Sequence, residues 1–296
     1  MATRSDSKAE TSLSGGHGQE KPLAPSLASA PHPKPLPAEE RGEGIKGAGG
    51  AASATPTARA IRGFEATRAW VFDLDNTLYP AECNLFAQVD HRMGEFIARF
   101  LGVPYAYARH LQKSYYRQFG TTLSGLMQVH KMDPRPFLDY VHDIDLSVMN
   151  PHPELARAIE TLPGRKLIYT NGSRHHAERV AEKLGVLHLF EDIFDIVASE
   201  YVPKPQAGPY KKFLALHGVD PAMAAMFEDM PHNLAAAHAL GMTTVLVHSS
   251  YVDHPVQLEI RKWTEPPEHV HHMTEDLAGF LVPLGGRVDA TGEGRG

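Results

Sequence analysis

The chain of 296 residues predicts an α/β fold: a doubly wound, mostly parallel sheet with a helical cap inserted after its first strand. Three observations predict it. Short apolar runs recur at AWVFD (69–73), KLIYT (166–170), FDIVAS (194–199), AAMFED (224–229) and TTVLVH (243–248). Helix-length amphipathic stretches separate the later runs, and strands alternating with helices require crossovers, hence parallel pairing. The alternation breaks between Tyr79 and about Asn150, where only helical patterns occur: NLFAQVDHRMGEFIARFLG, PYAYARHLQKSYYRQFG and PFLDYVHDI, divided by Gly and Pro.

Taken in order, residues 1–65 are rich in Ala, Pro, Gly and Ser, without a repeating apolar face, and are expected to be a disordered tail. Asp6, Glu10, Glu20, Glu39, Glu40 and Glu43 count against an organellar leader, which is poor in acids. The core is expected over 66–80 and 151–250, the cap over 81–150, and a partly helical C-terminal extension over 251–296. Within the core, SRHHAERVAEKLG opens on the capping residue Ser173. PYKKFLALHG from Pro209 and PHNLAAAHALG from Pro231 each start on proline and end on glycine.

Composition narrows the function classes. A hydrophobic content of 42% supports one substantial core with a smaller companion. A formal net charge of -6 leaves no basic field to attract DNA or RNA, so no nucleic-acid partner is expected. The lone Cys83 excludes an intrachain disulfide and a cysteine zinc cage, which suits a reducing compartment. Nothing approaches 18 consecutive apolar residues, so no membrane contact is expected, and the location is expected to be cytoplasmic. A monomer or a homodimer fits equally well.

The chemistry lies where the apolar runs stop. AWVFDLDNTLYP ends an apolar strand in two aspartates, and carboxylates are almost never buried unless paired or bound to metal. The next runs end in Thr170–Asn171–Gly172, then Lys204 between two prolines, then Glu228–Asp229. D-x-D-x-T alone arises by chance in on the order of a few per cent of chains this long, so the ordered set carries the argument. Together these groups suit phosphoryl transfer, which needs a nucleophile, an acid for the leaving oxygen and positive charge around the phosphoryl oxygens. Asp73 is placed to attack phosphorus, and Asp75 to protonate the leaving group and later take a proton from water. Two close carboxylates raise each other's pKa, which would keep one protonated. Their charge together with a phosphate dianion implies a hard cation, Mg²⁺, held partly by Asp73 and Asp229. Thr170 can donate to a phosphate oxygen, the amides of Asn171 and Gly172 lead into a helix N-terminus, and Lys204 adds a point charge.

These residues resemble the haloacid dehalogenase-like (HAD) superfamily of phosphohydrolases. DLDNTLY is similar to its first motif, YTNG to its second, Lys204–Pro205 to its third and FEDMPHNL to its acidic fourth, over roughly residues 68–250. LYP followed by NLFAQVDHRM resembles the pyrimidine 5′-nucleotidase branch, whose members carry a helical cap after the first motif and remove phosphate from UMP- or CMP-like nucleotides. The resemblance implies a Rossmann-like core, nucleophile Asp73, acid/base Asp75, phosphate ligands Thr170 and Lys204, and magnesium held by Asp73, Asp229 and the Asp75 carbonyl. Glu228 stands where many relatives have aspartate and is implied as a direct or water-mediated metal ligand. Leu74, Asn171, Gly172 and, on the cap, Arg92 complete the expected substrate contacts.

The expected partner is thus a small phosphorylated metabolite, a nucleotide before a sugar phosphate. Phe86, His91, Arg92, Tyr115, Tyr116 and Arg117 are candidates for holding base and ribose, although aromatic residues at helical spacing are more often core. The histidines His175–His176 and His269, His271 and His272 read as solvated surface rather than a zinc site, because Mg²⁺ prefers oxygen. Two alternatives stay open: dehalogenation, against which Asp75 speaks, and a catalytically silent binding module.

Overall fold

Strands β1 (Ala69–Phe72), β2 (Arg165–Tyr169), β3 (Asp192–Phe194), β4 (Ala224–Glu228), β5 (Thr243–Val247) and β6 (His272–Thr274) form one parallel sheet in the computed structural model, which describes residues 63–251 and 256–285. The sheet order is β3-β2-β1-β4-β5-β6. The tail expected over 1–65, but for its last three residues, and the chain beyond 285 lie outside the described residues.

Central strands of a parallel sheet are buried on both faces, which is why β1 is apolar throughout. Alternate side chains part to opposite sides. Trp70 and Phe72 join Ile168, Phe227 and Val245 on one face, while Ala69 and Val71 join Leu167, Met226 and Leu246 on the other. Phe72 is in register with Ile168 on β2 and Phe227 on β4, and its ring stacks on Phe227 at 4.7 Å. From β1 the chain builds outward through β2 and β3, then returns to the other side of β1 for β4, β5 and β6. That reversal opens a crevice at the carboxyl ends of β1, β2 and β4, where ligands bind in sheets of this kind.

Between β1 and β2 the chain forms α1 (Leu85–Leu101), α2 (Tyr105–Phe119), α3 (Thr122–His130), α4 (Pro134–Val141) and α5 (Pro153–Glu160). α6 (Arg174–Leu184), α7 (Ala207–His217) and α8 (Pro231–Ala239) are the crossovers, followed by the short α9 (Gln257–Ile260) and α10 (Leu277–Gly285). The Ser173 hydroxyl caps α6 by accepting from the His176 amide, and Pro231 opens α8. α7 begins two residues before the expected Pro209. The first amides of a helix have no intrahelical partner, so a proline there costs no hydrogen bond.

The structure departs from expectation in four more places. The run FDIVAS is not a strand over 194–199: β3 stops at Phe194 and the chain turns. Asp195 takes the amides of Arg174 and Ala198 on its carboxylate, competing with a ladder, and Glu200 and Tyr201 adopt positive φ of 57° and 61°. α3, α5 and the polar edge strand β6 are additional to the elements read from the sequence. Among the described residues no helix is long and apolar enough to cross a membrane.

Candidate active site

The parallel sheet delivers Asp73, Thr170, Glu228 and Asp229 to one edge, and Lys204 reaches them from the loop after β3. All five are buried and all line one cavity of about 270 Å³. The Lys204 ammonium donates to Asp73 Oδ1 at 2.5 Å, Glu228 Oε1 at 2.7 Å and the Tyr169 carbonyl at 3.0 Å. The loop is fastened by its own backbone, since the Lys204 amide donates to Asn171 Oδ1 at 2.8 Å. Thr77, four residues after Asp73, donates to Asp73 Oδ2 at 3.4 Å.

One ammonium cannot compensate two buried carboxylates. Burial drives the Asp73 carboxyl from its ordinary 3.8 up to about 7, with Lys204 only partly opposing. Glu228 is raised for the same reason. For Lys204, burial works against the charge, but the two acids outweigh it and hold the ammonium above its usual range.

Asp75 behaves in the opposite sense. Burial pushes its carboxyl up, yet His176 and Tyr79 outweigh this and the net shift is downward. The Tyr79 hydroxyl donates to Asp75 Oδ1 at 2.6 Å, and His176 Nε2 lies 2.9 Å from the same oxygen. Two close acids were expected to keep one of the pair protonated, and in the free protein the raised member is Asp73.

The second motif contributes a compact turn. The Gly172 amide donates to Thr170 Oγ1 at 2.9 Å, leaving the hydroxyl proton available to a ligand. A Cβ at Gly172 would stand 3.3 Å from both Thr170 Oγ1 and the His176 ring, which explains the glycine. Asn76 adopts φ 58°, a left-handed conformation that asparagine tolerates, and its amide donates to Asp229 Oδ2 at 3.4 Å. Glu228 is well supplied with protein donors: Lys204 and Asn233 Nδ2 on Oε1, and the Met230 amide on Oε2. One carboxylate oxygen from each of Asp73, Glu228 and Asp229 lies within 4.8 Å of the others, an all-oxygen set that fits a hard divalent cation.

The helical insert supplies the opposite wall. Phe86, Val89, Asp90 and Met93 line the cavity from one face of α1, at i, i+3, i+4 and i+7, with Gln112, Lys113 and Tyr116 from α2 and Leu123 from α3. Of the expected cap contacts, Phe86 and Tyr116 therefore face the site. Arg92 does not line the cavity: it donates to the Tyr140 carbonyl at 2.7 Å and pairs with Asp143, because it lies off the α1 face that Phe86 occupies. His91 meets the Tyr105 hydroxyl, and Tyr115 is buried against His130. The Leu74 side chain is buried outside the cavity lining, while Asn171 and Gly172 line it.

Sequence reasoning missed Asp90, Gln112 and Lys113, a hydrogen-bonded cluster on the cavity wall, in which Lys113 and Gln112 donate to Asp90 Oδ1 at 2.8 and 2.9 Å. It also misjudged His176, which is buried rather than solvated. The signal was present: position 176 shares an α6 face with the buried Val180 and Leu184. Among the other histidines, His271 bonds the Thr244 hydroxyl and His272 packs on Phe64.

With this geometry in place, comparison with known proteins gives consistent findings. Residues 67–241, more than half of the chain, match the haloacid dehalogenase-like hydrolases. The chain is 27% identical over 199 residues to phosphate metabolism protein 8 of Saccharomyces cerevisiae, a match that covers 61% of each protein. Among solved structures, a HAD phosphatase from Thermococcus onnurineus superposes with a TM-score of 0.50 at 16% identity, over 74% of this chain and 99% of that one. An L-2-haloacid dehalogenase from Xanthobacter autotrophicus gives 0.47 at 15% identity, over 75% and 99%. The ordered motifs, the parallel sheet and the matched span together establish that the chain belongs to the haloacid dehalogenase-like hydrolase family.

Proposed function

We propose that the protein is a Mg²⁺-dependent phosphomonoester hydrolase acting through a phosphoaspartyl intermediate on Asp73, with a pyrimidine nucleoside 5′-monophosphate as substrate. One observation carries this reading: a lysine-supported aspartate and a second aspartate two residues on share a cavity whose far wall carries Phe86 and Tyr116 beside the polar cluster of Asp90, Gln112 and Lys113.

Asp73 attacks phosphorus through a carboxylate oxygen. The Thr170 hydroxyl and the Asn171 amide hold the phosphoryl oxygens, and the Lys204 ammonium, bonded to Asp73, Glu228 and the Tyr169 carbonyl, supplies positive charge beside them. A bound phosphate dianion restores like-charge repulsion at Asp75, so that Asp75 enters its acid form and delivers a proton to the departing oxygen. In the second half Asp75 takes a proton from the attacking water, and Asp73 is released as the carboxylate. Asp73 and Asp229 would hold the metal, and Glu228 acts on the site through Lys204. When bound, Mg²⁺ supplies positive charge that screens the nucleophile from the phosphate oxygens and stabilises the charge developing on them.

The cap cavity supports the nucleotide class. Phe86 and Tyr116 offer aromatic surface for stacking, and Asp90, Gln112 and Lys113 offer groups to a base edge. The testing experiment is phosphate release from a panel of nucleoside monophosphates and sugar phosphates, with Mg²⁺ and with EDTA. UMP and CMP are expected to lead the panel, and chelation is expected to abolish turnover. Turnover indifferent to EDTA refutes the mechanism, and equal turnover of ribose 5-phosphate and UMP refutes the substrate assignment.

A further inference from the structure

We propose that Tyr79 and His176 clamp one oxygen of Asp75 so that the other is presented for proton transfer, with His142 of the insert bracing His176. This rests on the acid/base role proposed for Asp75. His176 and Tyr79 are thus positioning residues: they act through Asp75 and do not touch the reacting atoms.

Four observations carry it. Both donors converge on Oδ1, at 2.6 Å from Tyr79 and 2.9 Å from His176, and among the described residues Oδ2 receives no protein hydrogen bond. Two bonds to one oxygen fix the carboxylate plane, which a single bond would leave free to rotate. His176 is itself held: it is buried, and its ring stacks on His142 at 4.4 Å and 12°. His142 also lines the substrate cavity, and its Nδ1 lies 2.9 Å from the Ser173 hydroxyl that caps α6.

The brace joins the insert to the sheet domain. His142 follows α4, and Arg179 on α6 donates to the carbonyls of His142 and Ile144 at 3.0 and 3.1 Å. The segment by which the chain leaves the first four helices is therefore tied to the helix that carries His176. Placement of the insert and orientation of Asp75 are linked through two stacked imidazoles.

The clamp has a specific consequence for the reaction. In the first step Asp73 forms a bond to phosphorus, the phosphorus–oxygen ester bond breaks, and Asp75 Oδ2 delivers its proton to the leaving oxygen. In the second, water attacks phosphorus, Oδ2 takes the water's proton, the bond between phosphorus and the Asp73 oxygen breaks with its electrons returning to the carboxylate, and inorganic phosphate departs. A leaving group that needs no proton, such as p-nitrophenolate, is insensitive to Asp75 in the first step and sensitive in the second. A misplaced Asp75 therefore converts steady turnover of p-nitrophenyl phosphate into a burst followed by a slow phase. A general loss of site structure would remove the burst as well.

The test compares His176→Phe, which keeps the stacked ring and loses the donor, with His176→Gln, which keeps a donor. Tyr79→Phe removes the other donor. With Mg²⁺ and UMP, His176→Phe is expected to lower kcat by about 10²-fold with KM within about threefold, and to show a stoichiometric nitrophenolate burst. His176→Gln is expected to recover at least about tenfold of that loss. Wild-type kcat in His176→Phe overturns the proposal, as does an equal loss in the Gln and Phe variants, or a folded Phe variant without a burst. Should His176→Phe fail to fold, Tyr79→Phe is read instead, and wild-type kcat there overturns it. A wild-type protein that releases no phosphate from any substrate would instead remove the proposed function itself.

Discussion

Replacing Lys204 by methionine tests the electrostatics of the site independently of any substrate. The substitution keeps length and burial but removes the ammonium from between Asp73 Oδ1 and Glu228 Oε1. Two buried carboxylates then face each other without a cation, and breaking a buried ion pair from one side typically costs about 3–5 kcal/mol. With a urea m-value of about 2 kcal/mol/M, the unfolding midpoint should fall by about 1.5–2.5 M.

The loss should depend on pH with a definite sign. Asp73 is raised from 3.8 to about 7, so over that interval the native state holds a proton that the unfolded chain has released. This group's contribution to stability is therefore present at low pH and lost as pH rises toward 7. At pH 5 the partner that Lys204→Met abandons is already a neutral acid. At pH 8 it is a buried anion in the wild type, and without the ammonium that holds its pKa down its ionisation becomes more costly still. The measurement is urea unfolding followed by far-UV circular dichroism in EDTA, at pH 8 and pH 5, for both proteins. The destabilisation should be larger at pH 8, and Mg²⁺ should recover more of it in the variant than it adds to the wild type. A variant as stable as the wild type at pH 8, or a loss equal at both pH values, would refute the account of Lys204 as the counter-charge of two buried acids.

Two further outcomes follow from the same geometry. Asp73→Asn should lower kcat for phosphate release by at least about 10³-fold, because the amide cannot form the acyl phosphate, and steady-state phosphate release would detect any residual turnover. On the insert, Phe86→Ala and Tyr116→Ala should each raise KM for UMP by about five- to tenfold, consistent with losing about 1 kcal/mol of aromatic contact, whereas Arg92→Ala should leave KM within twofold. An Arg92 effect larger than either aromatic effect would return the base contact to the position first read from the sequence.

The contrast between Arg92 and Asp90 shows what was legible in the sequence. The strand-end groups could be read because a parallel sheet puts the residues after each apolar run at one edge, so Asp73, Thr170 and Glu228–Asp229 needed no contact information to be placed together. Selecting residues on α1 required knowing which of its faces meets the sheet domain: Arg92 stands about 200° around the helix from Asp90 and so falls on the side away from the cavity. α3 escaped notice because TLSGLMQVH carries Ser124, Gly125 and Val129, which lower helix propensity. Gly125 is there for packing: a Cβ would come within 2.4 Å of the Tyr115 Cβ. FDIVAS was misread because its alternation mimics a strand, while Asp195, which ends the strand by taking two backbone amides, reads in sequence as an ordinary acid.

The same balance of charge bears on the metal proposed for this site, because a lysine so close to Asp73 is shared with Glu228. Asp73, Glu228 and Asp229 bring one carboxylate oxygen each within 4.8 Å of one another, and Lys204 pairs with the first two. Lys204 is committed on both sides, to Asp73 and to Glu228, so it cannot move to compensate Asp229 without abandoning a buried partner. Glu228 is committed in turn to Lys204, Asn233 and the Met230 amide, which makes it the member of the acidic set best anchored to hold the lysine rather than an ion. Asp73 and Asp229 are left as the pair whose charge matches a divalent cation, with Asn76 turned into its left-handed conformation to reach Asp229. A monovalent ion would leave the nucleophile facing a phosphate dianion with an uncompensated charge beside it, and this is the electrostatic reason for expecting magnesium rather than potassium to support turnover.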